Sequence, residues 1–411
     1  MIIFKFGGAS VKDADSIRNL AEILKEFKDQ RLFVVVSAMG KTTNFLESIA
    51  DLGYKEVSEG LSPLHQFHEQ HITIGKELGL TRFDQLDAWL EELRVHVSNS
   101  SVNFNEYYDQ IIPYGELYST SIIADFLRQE LSNITWLDAR KMIITNSDFR
   151  NAQVDWEKTS RNIGAMDLGD NMYITQGFIG SSEIGHMSTL GREGSDYTAA
   201  IFGNCLNAEE VIFWKDVPGI MNADPKLFPQ SEKFERLSYQ EATEMTYYGA
   251  KVIHPKTLKP LAHKGIPLKV KSFIHPAGIG TVIADESGEE YLPTYVFRPN
   301  QVLLTLKSRS NEFTDEKLLI EILTVLDDIG VRLNMMQRSA LSFSFSTDDE
   351  DGIIEAIHRE CQGAFEVYHN QGLHLATVKN FNQKSLKLLP KAKEILLEQI
   401  TRFNYQRLYR A

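Results

Sequence analysis

A lysine at the end of a strand-like run, followed by two glycines, is the first feature of the sequence that could bind an anion. Lys5 lies near the end of residues 2–6, and Gly7 and Gly8 follow it, ahead of a segment with helical spacing. Glycine lets the backbone approach a phosphate closely, the N–H groups of a helix start point at it, and lysine adds positive charge. The pattern predicts a phosphate site, although a plain tight turn with a solvated lysine has the same residues.

An arginine between two glycines, within residues 189–200, could bind a carboxylate. Arg192 lies in this segment, and Ser195 or Asp196 can cap the small-residue helix that follows. A guanidinium binds a carboxylate through two parallel hydrogen bonds. We interpret the segment as a carboxylate site, because a helix cap alone requires neither the arginine nor the glycines.

Three further segments carry polar residues that fit either a ligand site or ordinary surface structure. Residues 37–43 form a polar turn that resembles a P-loop at Gly40, but Val35 stands where a Walker A loop needs its first glycine. Glu116 opens a helix, where a carboxylate often only complements the helix dipole. Residues 215–226 contain a Pro-Gly turn and an Asp-Pro turn. None of the three identifies a ligand by itself.

Composition and charge argue against several classes of protein. The chain has 411 residues, so we expect two or three folding units, and 43% hydrophobic with 24% charged residues is typical of a globular protein. A net charge of -13 without a long basic run argues against nucleic-acid binding. Two distant cysteines, Cys205 and Cys361, indicate neither a zinc site nor a disulfide framework, and we expect no metal-ligating residues.

The apolar segments indicate neither a membrane span nor a signal peptide. No apolar run reaches the roughly 18 residues that a transmembrane helix needs. The first residues read as a strand and no cleavage site follows them. We therefore expect a cytoplasmic protein that does not bind membranes.

The elements that position these residues alternate between strands and helices in the first part of the chain. Residues 61–98 are predominantly helical in pattern. The pattern predicts an α/β sandwich with a mainly parallel sheet. The strand-like runs are residues 2–6, 32–37, 134–137, 142–145, 172–175, 211–214 and 268–270.

A polar stretch near residues 285–290 separates a second part of different pattern. From residue 302 the order of elements is βαββαβ, which is that of a ferredoxin-like domain. About 40 residues follow, with a strand at 373–378, a helix at 391–400 and a last strand, which is too little for a second complete copy. The predicted units are a catalytic domain (1–285), a linker (286–298), a ferredoxin-like domain (299–369) and a partial second unit (370–411).

Taken together and in register, these motifs resemble the aspartate kinases over essentially the whole chain. That family has an amino-acid-kinase α/β/α sandwich followed by ACT regulatory domains, which have the βαββαβ order. The resemblance implies transfer of the γ-phosphoryl group of Mg-ATP to the β-carboxylate of L-aspartate, the first step of lysine, threonine and methionine biosynthesis. The motifs that carry the resemblance are K-F-G-G-A-S (5–10), L-G-R-E-G-S-D (190–196), D-V-P-G-I (216–220) and G-A-K-V-I-H-P (249–255).

The resemblance also implies a role for individual residues. Lys5 would lie at the transferred phosphate beside the backbone of Gly7 and Gly8, and Asp196 would orient Lys5. The residues implied in aspartate binding are Arg192 for the α-carboxylate, Glu116 for the ammonium group, and Ser37, Thr43 and Ser195 along the pocket. The residues implied in nucleotide binding, with Lys5 and the two glycines, are Lys215, Asp216, Met221, Lys226 and Lys251.

The chain departs from the family pattern in places, and other functions are open. Ala9 replaces a threonine, Glu193 a glycine and Met221 an aromatic residue. Asn334 stands where an aspartate usually binds an amino-acid effector, which with the short C-terminal unit weighs against inhibition by lysine or threonine. We expect a homodimer or larger homo-oligomer through ACT sheet edges. The alternatives are another amino-acid kinase with an acidic substrate, or a catalytically weak amino-acid sensor on the same scaffold.

Overall fold

The chain folds into two compact units. The computed structural model describes residues 1–170, 172–250, 253–285, 292–309 and 313–411. The first unit comprises Met1–Ile220, Lys233–Thr243 and Ile253–Gly288, and the second comprises Met221–Glu232, Glu244–Val252 and Glu289–Ala411. No helix in the described ranges is long and apolar enough to cross a membrane.

The first unit contains eleven strands within its described residues. They are β1 (Ile2–Phe6), β2 (Leu32–Val36), β3 (Ile134–Leu137), β4 (Ile144–Thr145), β5 (Met172–Gln176), β6 (Ile179–Ser182), β7 (Met187–Thr189), β8 (Glu210–Lys215), β9 (Arg236–Ser238), β10 (Leu268–Ser272) and β11 (Thr281–Ala284).

Helices pack around these strands. They are α1 (Ala14–Glu26), α2 (Thr42–Lys55), α3 (Val57–Leu61), α4 (Leu64–Glu77), α5 (Asp84–Ser98), α6 (Phe104–Ile111), α7 (Tyr114–Glu130), α8 (Trp156–Gly164), α9 (Gly194–Cys205), α10 (Tyr239–Tyr248, whose last residues belong to the second unit) and α11 (Pro255–Ala262).

Eight strands form the central sheet in the order β3-β5-β2-β1-β8-β10-β11-β9, and among the residues described only the β10–β11 pair is antiparallel. Strands β1 and β2 are buried along their whole length because both faces are covered. On one face Phe4 and Val34 join a core with α1, α2 and α4 to α7. On the other, Phe33 packs against Phe202 of α9 at a ring distance of 4.3 Å. The predicted α/β sandwich with a mainly parallel sheet is confirmed.

A small sheet of β4, β6 and β7 lies beside the central one. Strand β6 pairs with β4 in parallel and with β7 antiparallel. The chain leaves β7 at Thr189 and enters the segment with Arg192 directly. The small sheet thus fixes where that segment begins.

The second unit is built on one antiparallel sheet in the order β13-β14-β12-β15-β17-β16. Its first six elements have the predicted βαββαβ order, and Leu304, Phe345 and Ile357 lie in the core between the sheet and two helices. Its elements are β12 (Thr294–Ser308), α12 (Glu316–Asp328), β13 (Met335–Arg338), β14 (Ser342–Asp348), α13 (Ile353–Cys361), β15 (Phe365–Lys379), α14 (Gln383–Lys387), β16 (Glu394–Ile400) and β17 (Asn404–Arg410).

The prediction of a helix at residues 391–400 is wrong. Residues 394–400 form β16, which pairs antiparallel with β17 through an irregularity at Ile395/Leu397. The segment is rich in leucine, glutamate and glutamine, which favour helices. Pairing with β17 and burial of Leu397 outweigh that local preference.

The two units are not separated at a single point of the chain near residue 285, because the chain passes between them several times. Strand β12 begins at Thr294, inside the range expected as a linker, and residues 286–291 lie outside the described part. Residues 221–232, expected in the catalytic domain, belong to the second unit. Tyr295 stacks on Phe228 at 4.5 Å, and its N–H donates to the carbonyl of Asn222 at 2.7 Å. These contacts hold the segment to β12.

Candidate active site

The turns after β1 and β2 meet at the carboxyl edge of the central sheet. Parallel strands bring their carboxyl ends to one edge, so residues after β1 and β2 become neighbours. The N–H of Gly40 donates to the carbonyl of Gly8 at 3.0 Å. A Cβ atom at Gly8 would lie 2.8 Å from the carbonyl oxygen of Ala38. Glycine is therefore required at position 8 by the close approach of the two turns.

An ion-pair cluster lies at the same edge. Lys5 Nζ is 2.6 Å from Asp196 Oδ1, and Lys215 Nζ is 3.3 Å from Asp196 Oδ2. Asp196 lies in the first turn of α9, with its side chain 5% exposed. Burial opposes its ionisation, but the charges of Lys5 and Lys215 outweigh burial and hold the pKa of Asp196 below its ordinary value. Two lysines against one carboxylate leave a net positive charge, which suits an anion.

Glu116, in the first turn of α7, is a buried carboxylate that accepts few hydrogen bonds. Its Oε1 accepts a long hydrogen bond of 3.4 Å from the N–H of Ala38. Its Oε2 is buried and has no partner in the described part of the chain. Burial raises the pKa of Glu116 to about 8, although backbone hydrogen bonds lower it in part. A buried carboxylate oxygen without a donor is costly, so a ligand with an N–H group or positive charge would be stabilised here.

The segment with Arg192 is shaped by its glycines. Gly191 has a φ of +72°, and a Cβ atom at Gly194 would lie 2.4 Å from Phe178. The N–H of Gly194 donates to the carbonyl of Gly191 at 3.0 Å, which closes a tight turn around Arg192. The guanidinium of Arg192 is exposed and forms no ion pair or hydrogen bond with the residues described. It is free to bind an anion.

Although Glu193 is adjacent to Arg192 in the sequence, its carboxylate does not pair with the guanidinium of Arg192. Its Oε2 accepts a hydrogen bond of 2.8 Å from the N–H of His254, which caps the start of α11. Lys256 Nζ, on the same helix, donates to the carbonyl of Leu190 at 2.6 Å. The carboxylate thus complements the positive end of a helix dipole. Helix α11 holds the arginine segment at two points, which no sequence pattern had indicated.

One cavity of about 510 Å³ brings most of the predicted site residues together. Gly7 lies beside it, since a Cβ atom there would be 3.3 Å from Lys5 Nζ, and Lys215 is joined to it through Asp196. Glu47, Tyr108 and Arg150 also line the cavity and were not predicted, because residues 44–47, 104–111 and 148–151 gave no motif. The predicted residues that line the cavity are Lys5, Gly8, Ser37, Thr43, Glu116, Arg192, Ser195 and Asp196.

The remaining predicted nucleotide residues do not line this cavity. Asp216 is exposed immediately after β8. Met221 and Lys226 belong to the second unit, where Lys226 is exposed and its N–H donates to Asp224 Oδ1 at 2.9 Å. Lys251 lies outside the described residues. For these four positions the nucleotide role stays a prediction.

Comparison with known proteins gives consistent matches in sequence. The model of the amino acid kinase family matches residues 1–272. Lysine-sensitive aspartokinase 3 of Escherichia coli (strain K12) is 32% identical over 362 residues, which cover 85% of this chain and 78% of that protein. Aspartokinase 2, chloroplastic, of Arabidopsis thaliana is 30% identical over 361 residues, 84% of this chain and 66% of its own length.

Solved structures match over the full length. The crystal structure of E. coli aspartokinase III in complex with lysine and aspartate gives a TM-score of 0.83 at 28% identity, covering 100% of this chain and 96% of that chain. The same protein in complex with aspartate and ADP gives a TM-score of 0.82 at 28% identity, with equal coverage. Both compact units therefore have counterparts in solved folds.

Proposed function

This chain belongs to the aspartokinases of the amino acid kinase family, and we propose that it transfers the γ-phosphoryl group of ATP to the β-carboxylate of L-aspartate. The product would be 4-phospho-L-aspartate and ADP. The observation that carries the proposal is that one cavity is lined by the Lys5–Asp196 ion pair, which Lys215 joins from Asp196, and by the unpartnered carboxylate of Glu116. A pocket with both features suits a reaction between a polyanion and an amino acid.

Glu116 and Arg192 each have a partner on the proposed substrate aspartate. The α-ammonium group of aspartate would donate to Glu116, and the α-carboxylate would bind the free guanidinium of Arg192. Binding of an ammonium group favours the ionised form of Glu116, whose pKa burial raises to about 8. Aspartate binding below that pH should therefore release a proton from the protein. Ser37, Thr43 and Ser195 supply hydroxyl groups along the pocket.

The chemistry requires no general base from the protein. The nucleophile is the β-carboxylate of the substrate, which is ionised at neutral pH because its pKa is about 4. The barrier comes instead from repulsion between this carboxylate and the phosphate oxygens. Lys5, Lys215 and the backbone N–H groups at Gly7 and Gly8 would reduce the repulsion, so that catalysis consists of positioning and charge stabilisation.

Magnesium would enter as the Mg–ATP complex. No group of three acidic, histidine or cysteine side chains that could hold a metal ion occurs in the ranges that the structure describes. The carboxylate of Asp196 is engaged by Lys5 and Lys215. Mg²⁺ keeps several waters and commonly binds through substrate phosphates with few protein ligands. The donor set therefore fits a metal carried by the nucleotide, with Lys215, Asp216, Met221, Lys226 and Lys251 proposed along the nucleotide itself.

We further propose a cytoplasmic homo-oligomer in lysine, threonine and methionine biosynthesis, with the second unit as an ACT-type regulatory region. E. coli aspartokinase III is crystallised with lysine and aspartate. In this chain the amide of Asn334 donates to Gln301 Oε1 at 2.9 Å and to Asp348 Oδ1 at 3.1 Å. An amide offers no charge to an effector ammonium group, so inhibition by lysine is not expected.

The direct test is to trap the acyl phosphate with hydroxylamine in the presence of Mg-ATP. We expect hydroxamate with L-aspartate, and none with L-glutamate or N-acetyl-L-glutamate. Hydroxamate from either glutamate compound, with none from aspartate, would replace the proposal with another amino-acid kinase. Binding of amino acid without ADP formation would favour the sensor alternative.

A further inference from the structure

Arg150 occupies a backbone position that normally favours glycine. Its φ is +69°, in a turn between β4 and α8. Non-glycine residues are uncommon there and are retained where the surroundings fix them. The N–H of Arg150 donates to Asp109 Oδ2 at 2.9 Å, and the N–H of Asn151 closes the turn on the carbonyl of Asp148 at 3.2 Å. The side chain of Arg150 is therefore presented by a fixed turn.

The same anchor fixes the segment that carries Arg192. Asp109, on α6, is fully buried and also accepts from the N–H of Thr189 at 2.8 Å and from its hydroxyl group at 2.7 Å. Thr189 ends β7, directly before the arginine segment. A Cβ atom at Gly191 would lie 3.1 Å from the carbonyl oxygen of Arg150, so the two loops are in close contact. One buried carboxylate thus positions the two loops that carry the two arginines.

The guanidinium of Arg150 is supported from one face and has no ionic partner. Its Cζ lies 4.6 Å from the centre of the Tyr108 ring and 5.7 Å from that of Phe104. The ring of Tyr108 is held in turn, because its hydroxyl group donates to Glu47 Oε1 at 2.7 Å. Within the described chain Arg150 forms no salt bridge. A stacked guanidinium keeps its edges available for two hydrogen bonds to a carboxylate.

Arg150 lines the same cavity as Lys5, Glu116 and Arg192. Aspartate has two carboxylates and one ammonium group, and the roles above give a partner to only one of the carboxylates. Lys5 is already paired with Asp196. We propose that Arg150 is a second carboxylate-binding residue of this pocket, which holds the side-chain carboxylate of the amino-acid substrate beside the phosphoryl donor. The inference rests on the proposed function and specifies how an acidic side chain is selected.

The test compares Arg150→Gln and Arg150→Gly with the wild type. Glycine tolerates the positive φ, so the second variant should fold even if the first does not. We expect the KM for L-aspartate to rise at least ten-fold in both, with the KM for ATP changed less than two-fold. Arg150→Lys, which keeps the charge but not the bidentate geometry, should recover part of the loss. Arg161→Gln, an exposed arginine paired with Glu157 on α8, is the matched control and should change neither constant.

A second readout separates selection of the side-chain carboxylate from a structural effect. L-asparagine has the same α-groups but no side-chain carboxylate, and its inhibition constant should be unchanged in Arg150→Gln. In Arg192→Ala both aspartate and asparagine should bind more weakly. Folded Arg150 variants with an aspartate KM within two-fold of wild type, or with equal weakening of both ligands, would overturn the inference. Failure of the wild type to phosphorylate aspartate would instead refute the proposed function.

Discussion

The three charged side chains at the end of β1 differ in how far they depend on one another. Asp196 has two cationic partners, at 2.6 Å and 3.3 Å, whereas Lys5 has Asp196 as its ionic partner among the described residues. If one lysine is removed, Asp196 keeps the other as a cationic partner, so its buried negative charge is still compensated. Removal of Lys5 should consequently affect catalysis much more than folding.

Lys5→Met tests this directly. We expect kcat to fall by about 10³-fold, since loss of one preorganised group that stabilises transition-state charge costs on the order of 10²–10³. The melting temperature should stay close to that of the wild type. The two measurements are steady-state ADP release and a thermal melt by circular dichroism. Turnover within ten-fold of the wild type would show that Lys5 does not act on the transferred phosphate.

Glu116→Gln tests the cost of the buried carboxylate. Burial raises the pKa of Glu116 to about 8 from an ordinary value of 4.5, so between these values the folded chain retains a proton that the unfolded chain has lost. The stability of the wild type therefore falls as pH rises through this window. Glutamine does not ionise, so the variant shows no such fall. We expect the melting temperature of the variant to exceed that of the wild type by a margin that grows from pH 5 to pH 8.5.

The same substitution should raise the KM for aspartate far more than that for ATP, because the ammonium partner is lost. A margin in melting temperature that stays constant with pH would contradict the raised pKa. Equal changes in the two KM values would contradict the ammonium role.

At the level of elements, α11 and the arginine segment depend on each other. The carboxylate of Glu193 accepts from the N–H of His254 at the start of α11, and Lys256 donates back to Leu190. The position of Arg192 is thus set by a helix more than 60 residues further along the chain.

Glu193→Ala should remove the hydrogen bond that joins the arginine segment to the start of α11. Loss of a hydrogen bond to the N–H groups of a helix start costs about 1 kcal/mol of unfolding free energy. We expect that loss in chemical denaturation, together with a rise of several-fold in the KM for aspartate. Glu157→Ala, which removes an exposed glutamate of α8, should change neither quantity. An unchanged KM in a destabilised Glu193→Ala would show that the contact supports the helix alone.

In the second unit, Asn334→Asp should lower stability. The amide of Asn334 donates to the buried Gln301 and to Asp348, and an aspartate would put two carboxylates about 3 Å apart and leave Gln301 without its donor. An unsatisfied buried group costs about 1–3 kcal/mol. We expect a larger loss at pH 8 than at pH 5, where a protonated carboxyl can donate again. Thermal melts at the two pH values check this, and a stabilised variant would contradict it.

The sequence allowed the parallel strands and most of the candidate site to be predicted, and it failed where distant parts of the chain decide the outcome. Strand β2 is a continuous apolar run and β1 is apolar except for Lys5, and Lys5, Glu116 and Arg192 lie in or beside glycine motifs. By contrast, the pattern of apolar and polar residues in β16 is equally compatible with a helix. The segment forms a strand because it pairs with β17. Arg150 lies in a turn without a motif, and contacts with distant residues such as its anchor on Asp109 bring it to the cavity.

Across the whole molecule, charge is distributed unevenly in a way that fits the proposed reaction. The chain has a net charge of -13, yet the edge of the central sheet gathers Lys5, Lys215, Arg150 and Arg192. A chain that is acidic overall disfavours polyanions in general, while a small anion can still bind to a local group of cationic side chains. The second unit adds a ferredoxin-like sheet of its own, with a polar network around Asn334.

The most direct test of the central claim follows an oxygen atom. L-aspartate labelled with ¹⁸O in its β-carboxylate is incubated with the protein, Mg-ATP and hydroxylamine, and the released phosphate is examined by ³¹P NMR. Attack of the β-carboxylate on the γ-phosphorus makes a labelled oxygen the bridge to phosphorus, and hydroxylamine then cleaves the bond from carbon to that oxygen. We predict that the released phosphate carries one ¹⁸O atom. Unlabelled phosphate released alongside ADP would mean that water attacks ATP, and would contradict the account.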